Sequence, residues 1–142
     1  MQRRIFTTLI VLLTVLFVMP SCGKYDDGPA FSIIPKKNRV ANTWKIDKVF
    51  INDVDRTSIY AEYIKTYKLE LTTSGSLTET YTISTGSVSE TGTWAFENSD
   101  ENLAFTISGL KNSYKILRLK SSEMWLEDTE AGQKYVTHYA SY

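Results

Sequence analysis

The stretch YKLELTTSGSLTETYTI, residues 67–83, decides the fold class of this chain. Leu69 and Leu71 alternate with polar residues, and the same alternation resumes at Leu77 after a turn that contains Gly75. Two alternating runs joined by a short glycine-containing turn predict an antiparallel β-hairpin, because successive side chains of a strand point to opposite faces. The sequence therefore predicts a β-sheet with one apolar face at this point of the chain.

The same pattern extends in both directions from this hairpin. The predicted strands begin near Trp44, Tyr67, Leu77, Val88, Leu103, Tyr114, Met124 and Tyr135. A slip in the alternation at Asp47-Lys48 predicts a β-bulge in the first strand. Eight short strands linked by hairpin turns predict an all-β fold, an antiparallel up-and-down barrel, because closure removes unpaired sheet edges. A two-layer sandwich is the alternative that alternation alone leaves open.

The N-terminus has the pattern of a secretory signal. Arg3 and Arg4 precede the apolar run 5–18, which is too short to cross a ~30 Å hydrocarbon core. The following stretch, Val18-Met19-Pro20-Ser21-Cys22, resembles the lipobox of bacterial lipoproteins in the looser form of the Bacteroidetes group. The resemblance implies that Cys22 carries acyl chains such as palmitate and begins the mature protein. The alternative is a secreted chain whose single cysteine is incidental.

The sequence after Cys22 bears on domain organisation and location. We predict a cleaved signal peptide over 1–21, a flexible lipid-anchored tether over 22–39 and the barrel domain over 40–142. The stretch Lys24-Tyr25-Asp26-Asp27 resembles the export signal of surface lipoproteins in Bacteroidetes. This resemblance favours the cell surface over the periplasmic face of the outer membrane. A polar tether that faces the periplasm is the alternative.

Three further stretches resemble lipocalin-like lipoproteins of the Bacteroidetes type. The first, Asn42-Thr43-Trp44-Lys45-Ile46, is similar to the opening strand of that barrel, with asparagine in place of its glycine. The second is Thr91-Gly92-Thr93-Trp94, and the third is the hairpin from residue 114 to residue 126. The resemblance covers nearly all of the predicted mature chain and implies a barrel that binds a small apolar ligand in its interior.

The same resemblance implies roles for individual residues. Trp44 would plug one end of the barrel, and Arg118 would stack on it through a cation–π contact. Trp44 as plain core and Arg118 as a solvated side chain form the alternative interpretation. The candidate plug or ligand-lining residues are Trp44, Trp94, Arg118, Tyr67 and Phe105.

Composition and motifs argue against several functional classes. Lys and Arg balance Asp and Glu at 16 each, so a basic stripe for nucleic acid is not expected. His138 is the only histidine, and no nucleophile elbow, zinc-type Cys/His pairing or phosphate-binding glycine loop is present. Asp53-Val54-Asp55 has oxygen ligands for calcium, but turn formation explains these residues adequately. We therefore predict no catalytic residue, no metal and no cofactor.

Two functional hypotheses follow from these observations. The first is a non-enzymatic outer-membrane lipoprotein whose barrel binds a small apolar ligand. The second is an accessory structural subunit that contacts a protein partner in an outer-membrane complex. A cavity of a few hundred Å³ would favour the first, whereas a filled interior with an exposed apolar patch would favour the second.

Overall fold

The computed structural model describes Tyr25 and residues 32–142. The predicted signal peptide 1–21 and Cys22 lie outside the described residues. Within the described part, no helix has the length and apolar character needed to span a bilayer. This part contains nine strands, two short α-helices and one 3-10 helix.

The strands follow one another closely and are joined mainly by short turns. Their bounds are β1 Thr43–Ile51, β2 Val54–Asp55, β3 Lys68–Leu71, β4 Ser76–Ile83, β5 Gly86–Glu97, β6 Asn102–Ile107, β7 Leu110–Leu119, β8 Glu123–Glu130 and β9 Gln133–Ser141. The helices are α1 Lys36–Val40, the 3-10 helix Thr57–Tyr60 and α2 Ala61–Thr66. The hairpin predicted from residues 67–83 is the β3–β4 pair, and the left-handed Gly75 (φ 92°) lies in its turn.

Eight of these strands close into an antiparallel barrel. Each strand from β3 to β8 pairs with its successor, and β1 pairs with both β3 and β9. The predicted up-and-down barrel is confirmed, and the sandwich is excluded because β1 and β9 are hydrogen-bonded along most of their length. The register of that pair shifts between Ile46 and Lys48, which confirms the predicted bulge. The additional strand β2 lies outside the ring and pairs only with the end of β1.

The β1–β3 pairing covers only one end of the barrel. It involves Thr43 and Trp44, whereas the far end of β1 pairs with β2 instead. The 3-10 helix and α2 follow β2, and their side chains Tyr60, Tyr63 and Ile64 pack against the core. This helical segment therefore completes the wall of the barrel where β1 and β3 separate.

One end of the barrel is closed and densely packed. Val40 of α1 and Trp44 of β1 are both fully buried, and the Trp44 Nε1 donates a hydrogen bond to the Val40 carbonyl at 2.9 Å. Arg39 is buried as well, and its Nη1 donates to the Leu119 carbonyl at 2.6 Å. The other large, fully buried side chains here are Leu69, Leu77, Leu103, Ile116, Leu119 and Met124.

Tyr25 also lies against this closed end. Its side chain is buried, and its hydroxyl donates to the Asp100 carbonyl in the β5–β6 turn at 2.9 Å. The Lys36 Nζ lies 3.2 Å from the Asp100 carboxylate and 5.8 Å from the Tyr25 ring centre. Burial raises the pKa of Tyr25 to about 12, so the hydroxyl stays protonated as a donor at neutral pH.

Candidate functional site

The opposite half of the barrel interior is a cavity of about 530 Å³ that is partly open to solvent. Its lining includes residues at the β6–β7 turn, at the end of β8 and in the helical segment 57–66. Its lining includes the tyrosines Tyr60, Tyr63, Tyr67, Tyr114, Tyr135 and Tyr139. Its lining also includes the carboxylates Glu79, Glu90, Asp128 and Glu130.

The tyrosines form a nearly continuous aromatic wall. The ring of Tyr63 lies 5.3 Å from the ring of Tyr67 and 5.4 Å from that of Tyr81, measured between centroids. The Tyr67 and Tyr139 rings are 6.2 Å apart. These tilted contacts are typical of packed aromatic pairs, which stabilise one another beyond simple area burial. The wall joins the helical segment and the residue that follows it, Tyr67, to β4 and β9.

The hydroxyl groups of this wall remain protonated. Burial is the largest cause that raises the pKa of Tyr63, Tyr67 and Tyr139 above the ordinary value of 10.0, with neighbouring acidic groups adding to it. Each hydroxyl can therefore donate one hydrogen bond and accept others at neutral pH. The cavity wall thus combines aromatic faces with hydroxyl groups that stay uncharged.

Glu79 places a carboxylate in this aromatic surround. It lies in the middle of β4, two residues from the buried Leu77, and the alternation of the strand directs both side chains inward. The Tyr63 hydroxyl lies 3.5 Å from the Glu79 Oε1, and Tyr67 also hydrogen-bonds this carboxylate. Burial raises the pKa of Glu79, and nearby Glu90 raises it further, while the two tyrosine hydrogen bonds oppose the shift.

Asp128 places a second carboxylate in the cavity, from strand β8. Its Oδ1 is buried and has no hydrogen-bond partner within the described part of the chain. Burial raises the pKa of Asp128, and the charge of Glu130 adds to this effect. A buried oxygen without a donor is costly, so this atom can gain free energy from a ligand that supplies one.

Replacing Glu79 with glutamine should change how stability depends on pH. The folded chain holds the Glu79 proton more tightly than the unfolded chain, where the ordinary pKa is 4.5. Its stabilising contribution is therefore full below pH 4.5 and is lost as the pH rises through the raised value. We expect the free energy of unfolding of Glu79→Gln, relative to wild type, to increase from pH 4 to pH 7.

Urea unfolding of both proteins at several pH values between 4 and 7 measures this difference. A relative free energy that stays constant or falls across that range would contradict the raised pKa of Glu79. The comparison cancels most contributions from the other carboxylates, because these are present in both proteins.

The five residues predicted as plug or lining lie in different parts of the barrel, and two of them line the cavity. Tyr67 and Phe105 line the cavity. Trp44 lies at the closed end under α1, and Trp94 is buried with its Nε1 donating to the Thr72 carbonyl at 2.9 Å. Trp44 therefore contacts α1 at the closed end, and its role as a plug stays a prediction.

The stacking predicted for Arg118 on Trp44 is replaced by stacking on Trp125. The Arg118 guanidinium carbon lies 4.6 Å from the Trp125 ring centre, and Arg118 also contacts Glu123 at 2.6 Å. Trp125 in turn stacks on His138 with ring centres 3.9 Å apart. The physical reason is strand alternation: Arg118 is adjacent to the inward, fully buried Leu119 and therefore points outward.

The acidic residues near β2 are occupied by other contacts. Asp53 lies 2.5 Å from the Lys134 Nζ, and Asp55 accepts a hydrogen bond from the Thr57 amide at 2.9 Å. Hydrogen bonds from Thr57 lower the pKa of Asp55. The described residues contain no group of three or more His, Cys, Asp or Glu side chains arranged to hold a metal ion.

Glu79 and Asp128 were not predicted as site residues from the sequence, although the alternation of apolar and polar residues contained the signal. Glu79 stands between Leu77 and Tyr81 on one face of β4, and Asp128 continues the face of Met124 and Leu126. A charged residue on the apolar face of a predicted strand is rare unless it is paired or functional. That signal identifies both residues as candidates, but only the closed barrel brings them to one cavity.

Solved structures similar to this chain include a protein of the DUF4847 family. A DUF4847 family protein from Bacteroides vulgatus ATCC 8482, determined at 1.00 Å resolution, is 14% identical to this chain. The similarity covers 70% of this chain and 92% of that one, with a TM-score of 0.47. No protein-family model and no curated protein matches this chain. At this identity and overlap, the likeness carries no information about function.

Proposed function

We propose that this protein is a non-enzymatic, lipid-anchored barrel that binds a small organic ligand in the cavity. The cavity volume of about 530 Å³ is the observation that carries the proposal. Ligand pockets usually range from 300 to 1,000 Å³ and combine aromatic walls with a few polar groups. The floor of this cavity is apolar, with Ile46, Val49 and Phe105, while its walls carry the tyrosines and carboxylates described above.

An interior that is only half filled supports ligand binding over a purely structural barrel. Small barrels of eight strands can be filled completely by side chains, as the closed end of this one is. The part of the interior that Phe105 lines is not filled by side chains. Large apolar side chains such as Ile59 and Leu110 are exposed on the surface instead. Ligand binding gives this open volume a use that structural support alone does not.

Filling the cavity should abolish ligand retention. Thr137 lines the cavity from β9, so Thr137→Trp places an indole in the open volume, whereas Thr129→Trp makes the same change on an exposed residue of β8. We expect Thr137→Trp, purified from native membranes, to retain at least tenfold less co-purifying small molecule than wild type. Mass spectrometry of the extracted molecules, relative to protein, measures this ratio.

Thr129→Trp should retain as much ligand as the wild type. If wild type retains no small molecule, or if both tryptophan variants retain as much as wild type, the binding proposal fails. In that case the accessory-subunit function becomes the better account.

That second function has one observation in its favour. Large apolar side chains are exposed at the same end as the cavity mouth: Ile59 in the 3-10 helix, Ile83 at the end of β4 and Leu110 at the start of β7. Exposed apolar groups near one another are typical of contact surfaces. A protein partner in an outer-membrane complex would bind there, and it would co-purify with the chain in the same mass-spectrometric experiment.

The proposed anchor also sets an orientation. Cys22 precedes the buried Tyr25 by three residues, which span at most about 11 Å. Acyl chains at Cys22 would therefore hold the closed end near the outer membrane and direct the cavity mouth away from it. The cell surface remains the face that we propose, because of the acidic residues after Cys22.

Mutation of Cys22 tests the anchor. We expect the native mature protein to begin at an acylated Cys22 and to fractionate with the outer membrane. Cys22→Ala should lack the acyl mass and keep its leader, because lipoprotein processing requires the cysteine. Intact-mass spectrometry of both proteins measures this, and a native protein without acyl mass would overturn the anchoring proposal.

A further inference from the structure

The charge and shape of the cavity restrict the kind of ligand that it can bind. Resting on the proposed binding function, we infer that the ligand is an organic cation, an amine or ammonium group attached to an apolar body. Three features of the cavity carry this inference: its charge, its aromatic wall and its apolar floor.

The charge of the cavity excludes an anionic ligand. Four carboxylates line it, and no Lys, Arg or His side chain does so among the described residues. A carboxylate or phosphate that entered would approach Glu79 and Asp128 without a compensating cation, and like charges brought together in this way repel each other. A cation instead gains attraction from groups that are already partly removed from water. The cavity is therefore complementary to positive charge.

The tyrosine wall favours the same class of ligand. Ring faces carry negative potential, and a cation within about 6 Å of a ring centre is attracted to it, most strongly where water is excluded. Tyr63, Tyr67 and Tyr139 surround the Glu79 carboxylate on contiguous elements. Aromatic rings grouped around a carboxylate provide both the faces and the counter-charge that an ammonium group needs.

Asp128 offers a specific acceptor on another wall of the cavity. Its buried Oδ1 has no donor in the described chain, whereas an ammonium N–H supplies one. Hydrogen bonds between charged groups are roughly twice as strong as neutral ones. A ligand that donates to Asp128 would therefore satisfy a buried oxygen that the described residues leave without a partner.

The floor of the cavity accounts for the apolar body of the ligand. Ile46, Val49, Phe105 and Ile107 line the cavity together with the carboxylates and provide an apolar surface. Burying apolar ligand surface there is favourable in proportion to the area removed from water. A fully polar cation, such as a hydrated metal ion, would gain nothing from this surface. The combination fits a molecule with one cationic end and one hydrocarbon or aromatic end.

Three probes with one ring system test the inference on the purified full chain. These are 1-naphthylmethylamine, which is a cation at neutral pH, the neutral 1-naphthalenemethanol and the anionic 1-naphthoate. Isothermal titration calorimetry at pH 7 and low salt measures each affinity. We expect the amine to bind at least tenfold more tightly than the alcohol, and the carboxylate to bind more weakly than both.

Neutral replacements of the carboxylates should remove this preference. We expect Glu79→Gln and Asp128→Asn each to weaken amine binding by about tenfold and to leave the affinity for the alcohol within twofold of wild type. Glu127→Gln is the matched control, because Glu127 is adjacent to Asp128 on β8 and alternates to the outer face. This control should bind all three probes as wild type does. Circular dichroism establishes that every variant is folded before titration.

The outcomes separate this inference from the proposed function. If the alcohol and the carboxylate bind as tightly as the amine, the cavity is a ligand site but the inference of a cationic ligand is wrong. If the amine preference survives in both Glu79→Gln and Asp128→Asn, the inference is wrong as well. If none of the three probes binds and Thr137→Trp retains as much native small molecule as wild type, the binding function itself fails.

Discussion

Replacing Gly92 with alanine should lower the free energy of unfolding by about 4 kcal/mol or more, a loss in the exceptional range for a single substitution. Gly92 lies in β5 opposite Ile107 of β6. A Cβ at this position would overlap the Thr106 carbonyl oxygen and lie 3.0 Å from its carbonyl carbon. Both atoms belong to the backbone, so the two strands would have to separate to accommodate one methyl group.

Gly109→Ala is the matched control for this prediction. Gly109 has a left-handed backbone (φ 81°), but a Cβ there would contact nothing within 4 Å. Its replacement should cost only the conformational strain of about 1–2 kcal/mol. Urea unfolding followed by circular dichroism measures both variants. Equal losses in the two proteins would show that backbone conformation, and not the close approach of β6, explains the glycine at residue 92.

Truncating Trp44 to alanine should have the second-largest effect, a loss of about 3 to 5 kcal/mol. The side chain is fully buried at the closed end, so its removal leaves a large cavity among packed neighbours. The change also removes the donor to the Val40 carbonyl and leaves that oxygen without its partner. We expect α1 to detach from the barrel, since this hydrogen bond connects α1 directly to β1.

Two further variants separate the effect of the lost hydrogen bond from that of the lost buried volume, and the closed end from the outer face. Trp44→Phe keeps most of the buried volume but removes the hydrogen bond, and we expect it to cost about 1 to 3 kcal/mol. Trp125→Ala removes a tryptophan from the outer face, where it is half-buried, and should cost about 1 to 2 kcal/mol. If Trp125→Ala is as destabilising as Trp44→Ala, the closed end is not the dominant core of this barrel.

The alternation of apolar residues was sufficient to predict the strands. From β3 onward each predicted strand is present, and the phase slip at Asp47-Lys48 is a real bulge in β1. The strand β2 was missed because only two residues form it, after Asn52 and Asp53 adopt left-handed backbone (φ 50° and 64°). Such a short element has too few residues to show a period of two.

The candidate site was only partly predictable. Tyr67 and Phe105 were predicted as lining and line the cavity, Phe105 from β6 and Tyr67 from the position directly before β3. Arg118 was wrongly paired with Trp44, since a resemblance names residues but not the face to which each one points. Its actual partner, Trp125, is its neighbour in the register of β7 and β8, which became known only from the sheet.

The sequence by itself determined that this chain forms hairpin-linked strands and which side chains of each strand share a face. Both properties are local, because they depend on residues two apart and on turns of a few residues. Only the tertiary structure decided that β1 closes on β9, that one end is filled around Trp44 and that the other end is left open. Glu79 and Asp128 are 49 positions apart in the chain. Their meeting in one tyrosine-lined cavity depends on closure of the whole ring, which no local pattern specifies.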